Sequence, residues 1–374
     1  MTVDVAVIGL GAMGSAALYH LSRRNLRSVG IERFTPGHER GSSHGSTRII
    51  RLGYFEHPSY VPLLRRAYGL WRELETASGR SLLTITGIAE IGREDSELVQ
   101  GTLASSRLHQ LPHEQLDAAA LMRRYPAFRL PHDFVGVVQP DGGYLEAEAA
   151  VQTHLDLARA AGAGIRFNQR ALAIEPRGSG VRVTTDTDSI EARAVIVAAG
   201  PWLKALLPEL PVDLQVTRQA VLWVEPENRA LFHPGNFPVF MIETAHGIHY
   251  GFPLHGADGL KIAKHHHVDE TVDPETYNRQ VSTGDETIIR GVISRYLPVA
   301  NARLLTSKTC LYTMTPDEHF VVDRLPGAPQ IIVASPCSGH GFKFAPVIGE
   351  ALAELATDGD TSHDISRFRL TRFA

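Results

Sequence analysis

The chain opens with a short apolar run, a glycine-rich turn and a segment with helical periodicity. Val3–Ile8 is apolar and β-branched except for one aspartate, which predicts a buried strand. The sequence Gly-Leu-Gly-Ala-Met-Gly follows at 9–14, and residues 15–24 carry alanine and leucine at helical spacing. The segment Arg27–Ile31 is predicted to form a second strand, which ends in Glu32. This order of strand, turn, helix and strand predicts a dinucleotide-binding fold.

The three glycines and the carboxylate have separate tasks in such a turn. Gly9 permits the tight turn, Gly11 lets a pyrophosphate approach the backbone, and Gly14 lets the helix pack on the strand. Glu32 follows the glycines by about 20 residues, where a carboxylate accepts hydrogen bonds from ribose hydroxyl groups and disfavours a 2′-phosphate. The turn therefore indicates NAD or the ADP half of FAD, against the alternative that the glycines serve only a tight turn.

A second group of short strands favours FAD over NAD. Turn residues separate several β-branched runs, which lie at 164–167, 171–175, 181–185 and 189–191. They lead into 194–199, a buried parallel-type strand whose small-residue turn ends at Gly200. Flavoproteins that resemble this chain use the same order of strands to return to the FAD domain. The sequence holds no second G-x-G-x-x-G, so we do not expect a separate NAD(P)H domain.

The predicted fold class is α/β. We expect a Rossmann-like FAD-binding domain, similar to that of D-amino acid oxidase and p-hydroxybenzoate hydroxylase, with an interleaved and mostly antiparallel β substrate domain. Pro- and Gly-rich stretches at Pro131–Gly143 and Pro226–Pro238 are interpreted as surface crossings at domain edges. The predicted FAD-binding domain is discontinuous and covers 1–80, 145–215 and 320–374. The predicted substrate-binding domain covers 81–144 and 216–319.

Composition narrows the class of protein further. The 374 residues are 43% hydrophobic and 21% charged, which is typical of a globular protein with a sizeable core. A formal net charge of −4 favours neither a nucleic-acid partner nor an anionic membrane surface. The two cysteines, Cys310 and Cys337, are too few for a disulfide framework. With no signal-peptide pattern at the start and no apolar run of membrane-spanning length, we expect a cytoplasmic protein.

Four further segments carry a family resemblance that extends over essentially the full length. The segments are Gly41–Arg51, Gly247–Pro253, Cys310–Phe320 and Ser338–Phe344, and the chain closes with Phe368–Phe373. Together they resemble the monomeric sarcosine oxidase and N-methyl-L-tryptophan oxidase family. The resemblance implies an FAD-dependent, monomeric oxidase of N-methyl or cyclic secondary amino acids. In that family hydride passes from the carbon next to nitrogen to flavin N5, the imine hydrolyses, and oxygen is reduced to hydrogen peroxide.

The resemblance assigns Cys310 as the cysteine attached to the flavin 8α-methyl group, and Cys337 is interpreted as a structural thiol. Arg51 and Lys343 match the residues that hold the substrate carboxylate. A planar guanidinium supplies a two-point grip and an ammonium adds a point charge. Alone, each of these cations is more typical of a solvated surface.

Other matches to residues of the family assign roles in binding the flavin and in activating oxygen. Arg48 matches a flavin-side arginine, and Lys261 matches the lysine that activates oxygen, where a fixed positive charge stabilises developing negative charge. His265 matches an active-site histidine, Tyr250 a tyrosine of the substrate pocket, and Met241 is a weaker candidate for the same wall. The remaining cofactor-binding candidates from the motifs are Ser42, His44, Thr47, Gly200, Gly339 and Gly341. The last two precede an apolar helix whose N-terminus favours an anion.

The run of three histidines at 265–267 has a second interpretation as a metal site. Consecutive residues of a strand point to opposite faces, so the three rings cannot face one ion. We therefore expect no metal, and we expect His266 and His267 to be exposed.

The sequence leaves the function partly open. The segment Tyr54–Pro58 departs from the small, glycine-containing form of the named enzymes, which argues against sarcosine itself as substrate. Sarcosine, N-methyltryptophan, pipecolate-like rings and fructosyl amino acids are otherwise not distinguished. The alternatives are a flavin amine dehydrogenase with an acceptor other than oxygen, a fructosyl amino acid oxidase, and a noncatalytic dinucleotide-binding protein, in which Cys310 and the paired cations have no purpose.

Overall fold

The structure, a computed structural model, describes residues 1–373. The helices are α1 (Ala12–Ser22), α2 (Val61–Ser78), α3 (Glu97–Leu108), α4 (Ala118–Arg124), α5 (Ala147–Ala160), α6 (Leu203–Leu206), α7 (Thr283–Tyr296) and α8 (Ala345–Thr357). The strands are β1 (Thr2–Ile8), β2 (Ser28–Ile31), β3 (Thr47–Ile50), β4 (Leu83–Ile85), β5 (Ile88–Arg93), β6 (Glu114–Asp117), β7 (Phe134–Gln139), β8 (Gly143–Glu146), β9 (Gly164–Arg166), β10 (Ala171–Arg177), β11 (Gly180–Thr185), β12 (Ser189–Val197), β13 (Gln215–Val224), β14 (Val239–Thr244), β15 (Gly247–Gly251), β16 (Leu260–Lys264), β17 (Leu304–Met314), β18 (Val321–Leu325) and β19 (Ala328–Ser335).

The first sheet has the order β10-β11-β12-β1-β2-β9, with β19 paired to β12 and β18 paired to β19. Strand β1 is parallel to both β2 and β12, and β12 is parallel to β19. Helices α1, α5 and α8 pack together beside this sheet. A Cβ at Gly349 would lie 2.6 Å from Ala16, so a glycine at this position lets α8 approach α1 closely. Parallel strands flanked by helices confirm the predicted α/β class.

The second sheet has eight strands in the order β17-β13-β16-β15-β14-β5-β7-β6. Its pairs are antiparallel except for β5 with β14, which are parallel. A small third sheet, β3-β8-β4, holds the arginine-bearing strand β3. The chain thus enters the second sheet twice, at 88–139 and at 215–314, and the domain boundaries inferred from the sequence stay a prediction. None of the helices in residues 1–373 has the length and apolarity needed to cross a membrane.

One local expectation was wrong. The stretch Pro131–Gly143 is no surface crossing, because its β-branched centre forms β7 between β5 and β6, with Val137 fully buried. Its apolar residues outweigh the turn-forming neighbours. The second stretch, Pro226–Pro238, contains no strand and is mostly exposed, while Phe232 and Phe237 anchor it in the core of the second sheet.

Candidate active site

One large cavity collects most of the residues that the sequence singled out. Its volume is about 880 Å³, which is within the range of ligand pockets. The predicted residues that line it are Gly9, Gly11, Glu32, Ser42, His44, Thr47, Arg48, Gly200, Arg51, Met241, Tyr250, Lys261, His265, Cys310, Gly339, Gly341 and Lys343. Gly14 does not line the cavity. Instead, a Cβ there would lie 1.7 Å from the Gly9 carbonyl oxygen, so Gly14 brings α1 close to the turn.

The glycine turn and Glu32 form one end of the cavity. Gly9 has a φ of +86°, a conformation that favours glycine. The Glu32 carboxylate accepts hydrogen bonds from the backbone N–H groups of Leu10 at 2.9 Å and Phe34 at 3.0 Å. Burial alone would raise the pKa of Glu32. Hydrogen bonds from His38 and from these N–H groups have a larger, opposite effect, so the pKa of Glu32 lies below its usual value. The carboxylate is therefore ionised at neutral pH, as ribose recognition requires.

Arg48 and Lys261 are held by backbone carbonyl groups. The Arg48 guanidinium donates to the carbonyl oxygens of Ser42, His44 and Thr47 at 2.6–2.9 Å. Lys261 Nζ donates to the carbonyl oxygens of Gly45 and Thr47, each at 2.6 Å. The loop before β3 therefore anchors both cations, because its carbonyl groups point inward.

Lys261 is almost completely enclosed. Its Nζ lies 4.7 Å from the ring centre of Phe252 and 5.5 Å from that of Trp223. Burial, with the nearby charge of Arg48, lowers the pKa of Lys261 well below its usual value. The amine thus sits in the low-dielectric surroundings that strengthen its interaction with developing negative charge.

Cys310 lies on β17 beside the Arg48 guanidinium. Its Sγ is 3.8 Å from Arg48 Nη2 and 3.9 Å from the Ser42 carbonyl oxygen. The sulfur therefore lies in contact distance of a guanidinium group in the cavity wall. Cys337 also lines the cavity, but its sulfur accepts a hydrogen bond from the Thr313 N–H, and burial raises the pKa of its thiol.

Arg51 occupies the other end of the cavity and is held by carboxylates. Its Nη2 donates to both oxygens of Glu56, at 2.8 and 2.6 Å, and its Nη1 lies 3.5 Å from a Glu90 oxygen. Nη1 also donates to the Gly53 carbonyl oxygen at 2.6 Å. The rings of Tyr54 and Phe55 lie within 4.3 and 4.8 Å of the guanidinium carbon, which is cation–π contact. The segment that departs from the family pattern is therefore the one that surrounds Arg51.

Lys343 lies close to Arg51 on the loop that leads into α8. Its Nζ donates to the His340 carbonyl oxygen at 2.7 Å, and Tyr54 binds the His340 ring at 2.6 Å. Burial, with the neighbouring Arg51, lowers the pKa of Lys343 to about 7. The loop needs its glycines, since a Cβ at Gly341 would lie 1.5 Å from the Pro336 carbonyl oxygen.

A histidine and a group of tyrosines complete the wall between the two ends. His265 Nδ1 lies 3.3 Å from the Tyr312 hydroxyl, and burial lowers the pKa of His265 well below its usual value. The ring is therefore neutral. Tyr250 and Met241 are paired residues of neighbouring strands, and both line the cavity. His44 is buried in the opposite wall, where neither ring nitrogen has a hydrogen-bond partner and burial lowers its pKa to about 4.

The expectation that His266 and His267 are exposed was wrong. Strand β16 ends at Lys264, and His266 adopts a φ of +53°, so the alternation of a strand does not continue. His267 is fully buried and binds Asp285 at 2.9 Å, while His266 is half-buried.

Sequence reasoning missed three acidic residues of the site. Glu56 and Glu90 flank Arg51, and Glu148 accepts hydrogen bonds from the N–H groups of Gly45 and Ser46. Glu148 thus supplies a carboxylate to the loop that leads into β3. Glu90 gave a signal in the sequence, because it is a charged residue between the apolar residues Ala89 and Ile91 of β5.

The sequence of this chain is similar to those of known flavin-dependent enzymes. The sequence profile of a family described as FAD dependent oxidoreductase matches residues 4–355. A monomeric sarcosine oxidase from Streptomyces avermitilis is 42% identical, over 100% of this chain and 98% of that protein. An N-methyl-L-tryptophan oxidase from Yersinia pestis is 37% identical, over 100% of both chains.

Solved structures extend the comparison. NikD, described as an unusual amino acid oxidase essential for nikkomycin biosynthesis, superposes with a TM-score of 0.87 at 26% identity, covering 98% of this chain and 97% of that one. Glycine oxidase from Geobacillus kaustophilus shares the fold, with a TM-score of 0.83 at 21% identity and 99% of each chain covered. The chain therefore belongs to the FAD dependent oxidoreductase family and, within it, to the group that contains monomeric sarcosine oxidase and N-methyl-L-tryptophan oxidase.

Proposed function

We propose that this protein oxidises N-methyl or cyclic secondary amino acids, with covalently attached FAD as cofactor and oxygen as electron acceptor, and releases hydrogen peroxide. One observation carries the proposal. A single cavity brings together Cys310, the carbonyl-held cations Arg48 and Lys261, and a second pair of cations, Arg51 beside the Glu56 carboxylate and Lys343 beside the His340 carbonyl. The named relatives add that enzymes of this group act on amino acids.

The residues present fit FAD. The positive φ of Gly9 and the N-terminus of α1 form a cradle for the pyrophosphate, and the ionised Glu32 carboxylate faces the same end. The unpartnered ring nitrogens of buried His44 point to a missing hydrogen-bond partner in the cavity wall. Cys310 would hold the flavin covalently. When bound, FAD would accept a hydride from the carbon next to the substrate nitrogen and transfer the electrons to oxygen.

Arg51 and Lys343 would bind the substrate carboxylate. A carboxylate entering the cavity can take the place of Glu56 on Arg51 Nη2, because the two groups have the same shape and charge. The rings of Tyr54 and Phe55 pack against the guanidinium and would limit its movement during this exchange. This exchange would orient the substrate carboxylate while the Arg51 side chain stays in its present position.

The centre of the cavity would position the amine. His265 is neutral and can accept a hydrogen bond from the substrate nitrogen, and Tyr250 and Met241 form a wall for its substituents. The described residues offer no obvious general base beside them, so the amine would react in its neutral form. Lys261 would stabilise negative charge that develops during oxygen reduction.

A panel of amines tests the proposal. Sarcosine, N-methyl-L-tryptophan, L-pipecolate and a fructosyl amino acid would be assayed for peroxide in air and for flavin bleaching without oxygen. We expect bleaching and peroxide with at least one N-methyl or cyclic amino acid. Bleaching without peroxide would indicate a dehydrogenase with another acceptor, and absence of bleaching with every amine would overturn the proposal.

A further inference from the structure

Glu90 is a fully buried carboxylate that lies behind the cavity. It stands on β5 and pairs in register with Met241 of β14, which itself lines the cavity. Glu90 has 0% exposure, and neither carboxylate oxygen has a hydrogen-bond partner. A buried carboxylate without hydrogen bonds is costly to maintain in a fold, so it calls for a functional explanation.

The charged neighbours of Glu90 belong to the proposed carboxylate-binding end. Arg51 lies 3.5 Å away, and Glu56 and Lys343 are the other charged groups that act on it. Thr102 of α3 and Met241 of β14 add no charge. Burial raises the pKa of Glu90, Arg51 opposes that shift and Glu56 adds to it, with a net pKa of about 7. Glu90 therefore changes its charge near neutral pH, when few other carboxylates do.

A count of charges shows the difficulty that a substrate meets. Arg51 already faces the two carboxylates of Glu56 and Glu90. A substrate carboxylate would be a third anion in the same buried space, and like charges in a low-dielectric region strongly disfavour one another. Exchange would move Glu56 off Arg51 Nη2, but its side chain is only 14% exposed, so its charge would stay near the same buried space. Lys343, with a pKa of about 7, adds at most one positive charge. One of the three carboxylates must therefore become neutral, and Glu90 has no water-exposed position to move to.

We propose that Glu90 is a positioning residue that takes up one proton from solvent when a substrate carboxylate binds to Arg51. Neutral Glu90 no longer competes for the positive charge of the Arg51 guanidinium, which can then pair with the incoming carboxylate. The proton returns to solvent when the ligand dissociates. This inference rests on the proposed function, since it takes Arg51 as the carboxylate-binding residue. No bond other than the O–H bond of Glu90 forms or breaks.

Proton uptake can be measured directly on the flavin-loaded protein. Propionate serves as probe, because it carries a carboxylate but no amine that ionises or is oxidised. Titration calorimetry in two buffers of different ionisation enthalpy gives the number of protons taken up per propionate bound. Since Lys343 also titrates near neutral pH, Lys343→Arg supplies a background with a permanent charge at that position.

In Lys343→Arg we expect uptake to rise from near zero at pH 5.5 to about one proton at pH 8.5, and the Kd of propionate to rise about 10- to 30-fold between pH 6 and 8.5. In Lys343→Arg/Glu90→Gln we expect no uptake and a Kd that changes less than about twofold. Equal uptake in both variants would overturn the role of Glu90.

Two outcomes separate this inference from the proposed function. If Arg51→Ala binds propionate as tightly as the parent, the carboxylate-binding site itself is wrong. If propionate binds through Arg51 but the unaltered protein takes up no proton between pH 6 and 9, only the role of Glu90 fails. The second measurement needs no substitution at Glu90, so it stands even where the double variant does not fold.

Discussion

The cavity holds its cations in two ways. Arg48 and Lys261 donate to backbone carbonyl oxygens near Cys310, and this group is called the carbonyl-held end. Arg51 donates to the Gly53 carbonyl oxygen as well, but it is paired with the carboxylates of Glu56 and Glu90, and this part of the cavity is called the carboxylate-held end. A carbonyl dipole fixes a cation but does not neutralise it, so positive charge remains at the Cys310 end. A carboxylate neutralises its partner until another anion replaces it. The first arrangement suits a permanent field, and the second suits reversible binding of a carboxylate.

The difference also has a structural origin. The loop from Ser42 to Thr47 turns its carbonyl groups inward because Glu148 binds the N–H groups on its other side. No such loop surrounds Arg51, which emerges from the end of β3 into a pocket of aromatic rings. Apart from the Gly53 carbonyl oxygen, its partners are side-chain carboxylates, and a side-chain carboxylate can be replaced by that of a substrate.

The largest expected effect concerns the covalent bond at the carbonyl-held end. In Cys310→Ser, acid precipitation should release the yellow cofactor completely, while the unaltered protein keeps the colour in the pellet, because only a thiolate can form the thioether. Cys337→Ser is the matched control and should keep the colour. Colour retained in the Cys310→Ser pellet would contradict the assignment.

Loss of the Lys261 amine at the same end should slow one half-reaction. Lys261→Met should reduce the rate of reoxidation by oxygen about 10²- to 10³-fold, because an electrostatic stabiliser is removed, and leave reduction by amine almost unchanged. Stopped-flow absorbance separates the two rates. Lys264→Met on the same strand is the control, since its Nζ binds the His267 carbonyl oxygen outside the cavity. Equal slowing of both half-reactions would count against a role in oxygen reduction.

At the carboxylate-held end the effect should appear in KM. Arg51→Ala should raise KM about 100-fold or more with a smaller change in kcat, because a buried charged hydrogen-bond partner is lost. Arg66→Ala is the control, as Arg66 forms a similar two-point pair with Glu350 away from the cavity. An unchanged KM in Arg51→Ala would remove Arg51 from the substrate site.

The smallest effect concerns stability next to the site. His267→Ala should lower the free energy of unfolding by about 1–3 kcal/mol, because it leaves buried Asp285 without one hydrogen bond, and His266→Ala should change it by less than about 0.5 kcal/mol. Urea unfolding compares the two. Burial lowers the pKa of His267, so the difference should shrink as the pH falls and protonation opposes folding. Equal losses in both variants would contradict the buried position of His267.

The sequence predicted the local features of the fold well, since the strand, glycine turn and helix at 2–22 and the loop into α8 depend on neighbouring residues. It also predicted which cations gather in the cavity, through motifs rather than through spacing. The partners of those cations were missed. Glu90 and Arg51 meet only through pairing of distant strands, which no local pattern reports. His267 was misjudged because β16 ends at Lys264, where a turn replaces the assumed alternation.

The central claim is that Arg51 recognises a substrate carboxylate by exchange with its own carboxylate partner. The most direct test compares an N-methyl amino acid that bleaches the flavin with its primary amide, under anaerobic conditions. We predict that half-maximal bleaching needs about 100-fold more amide than acid, which is the loss expected when a buried arginine has no anion to bind. Equal concentrations for acid and amide would contradict the claim.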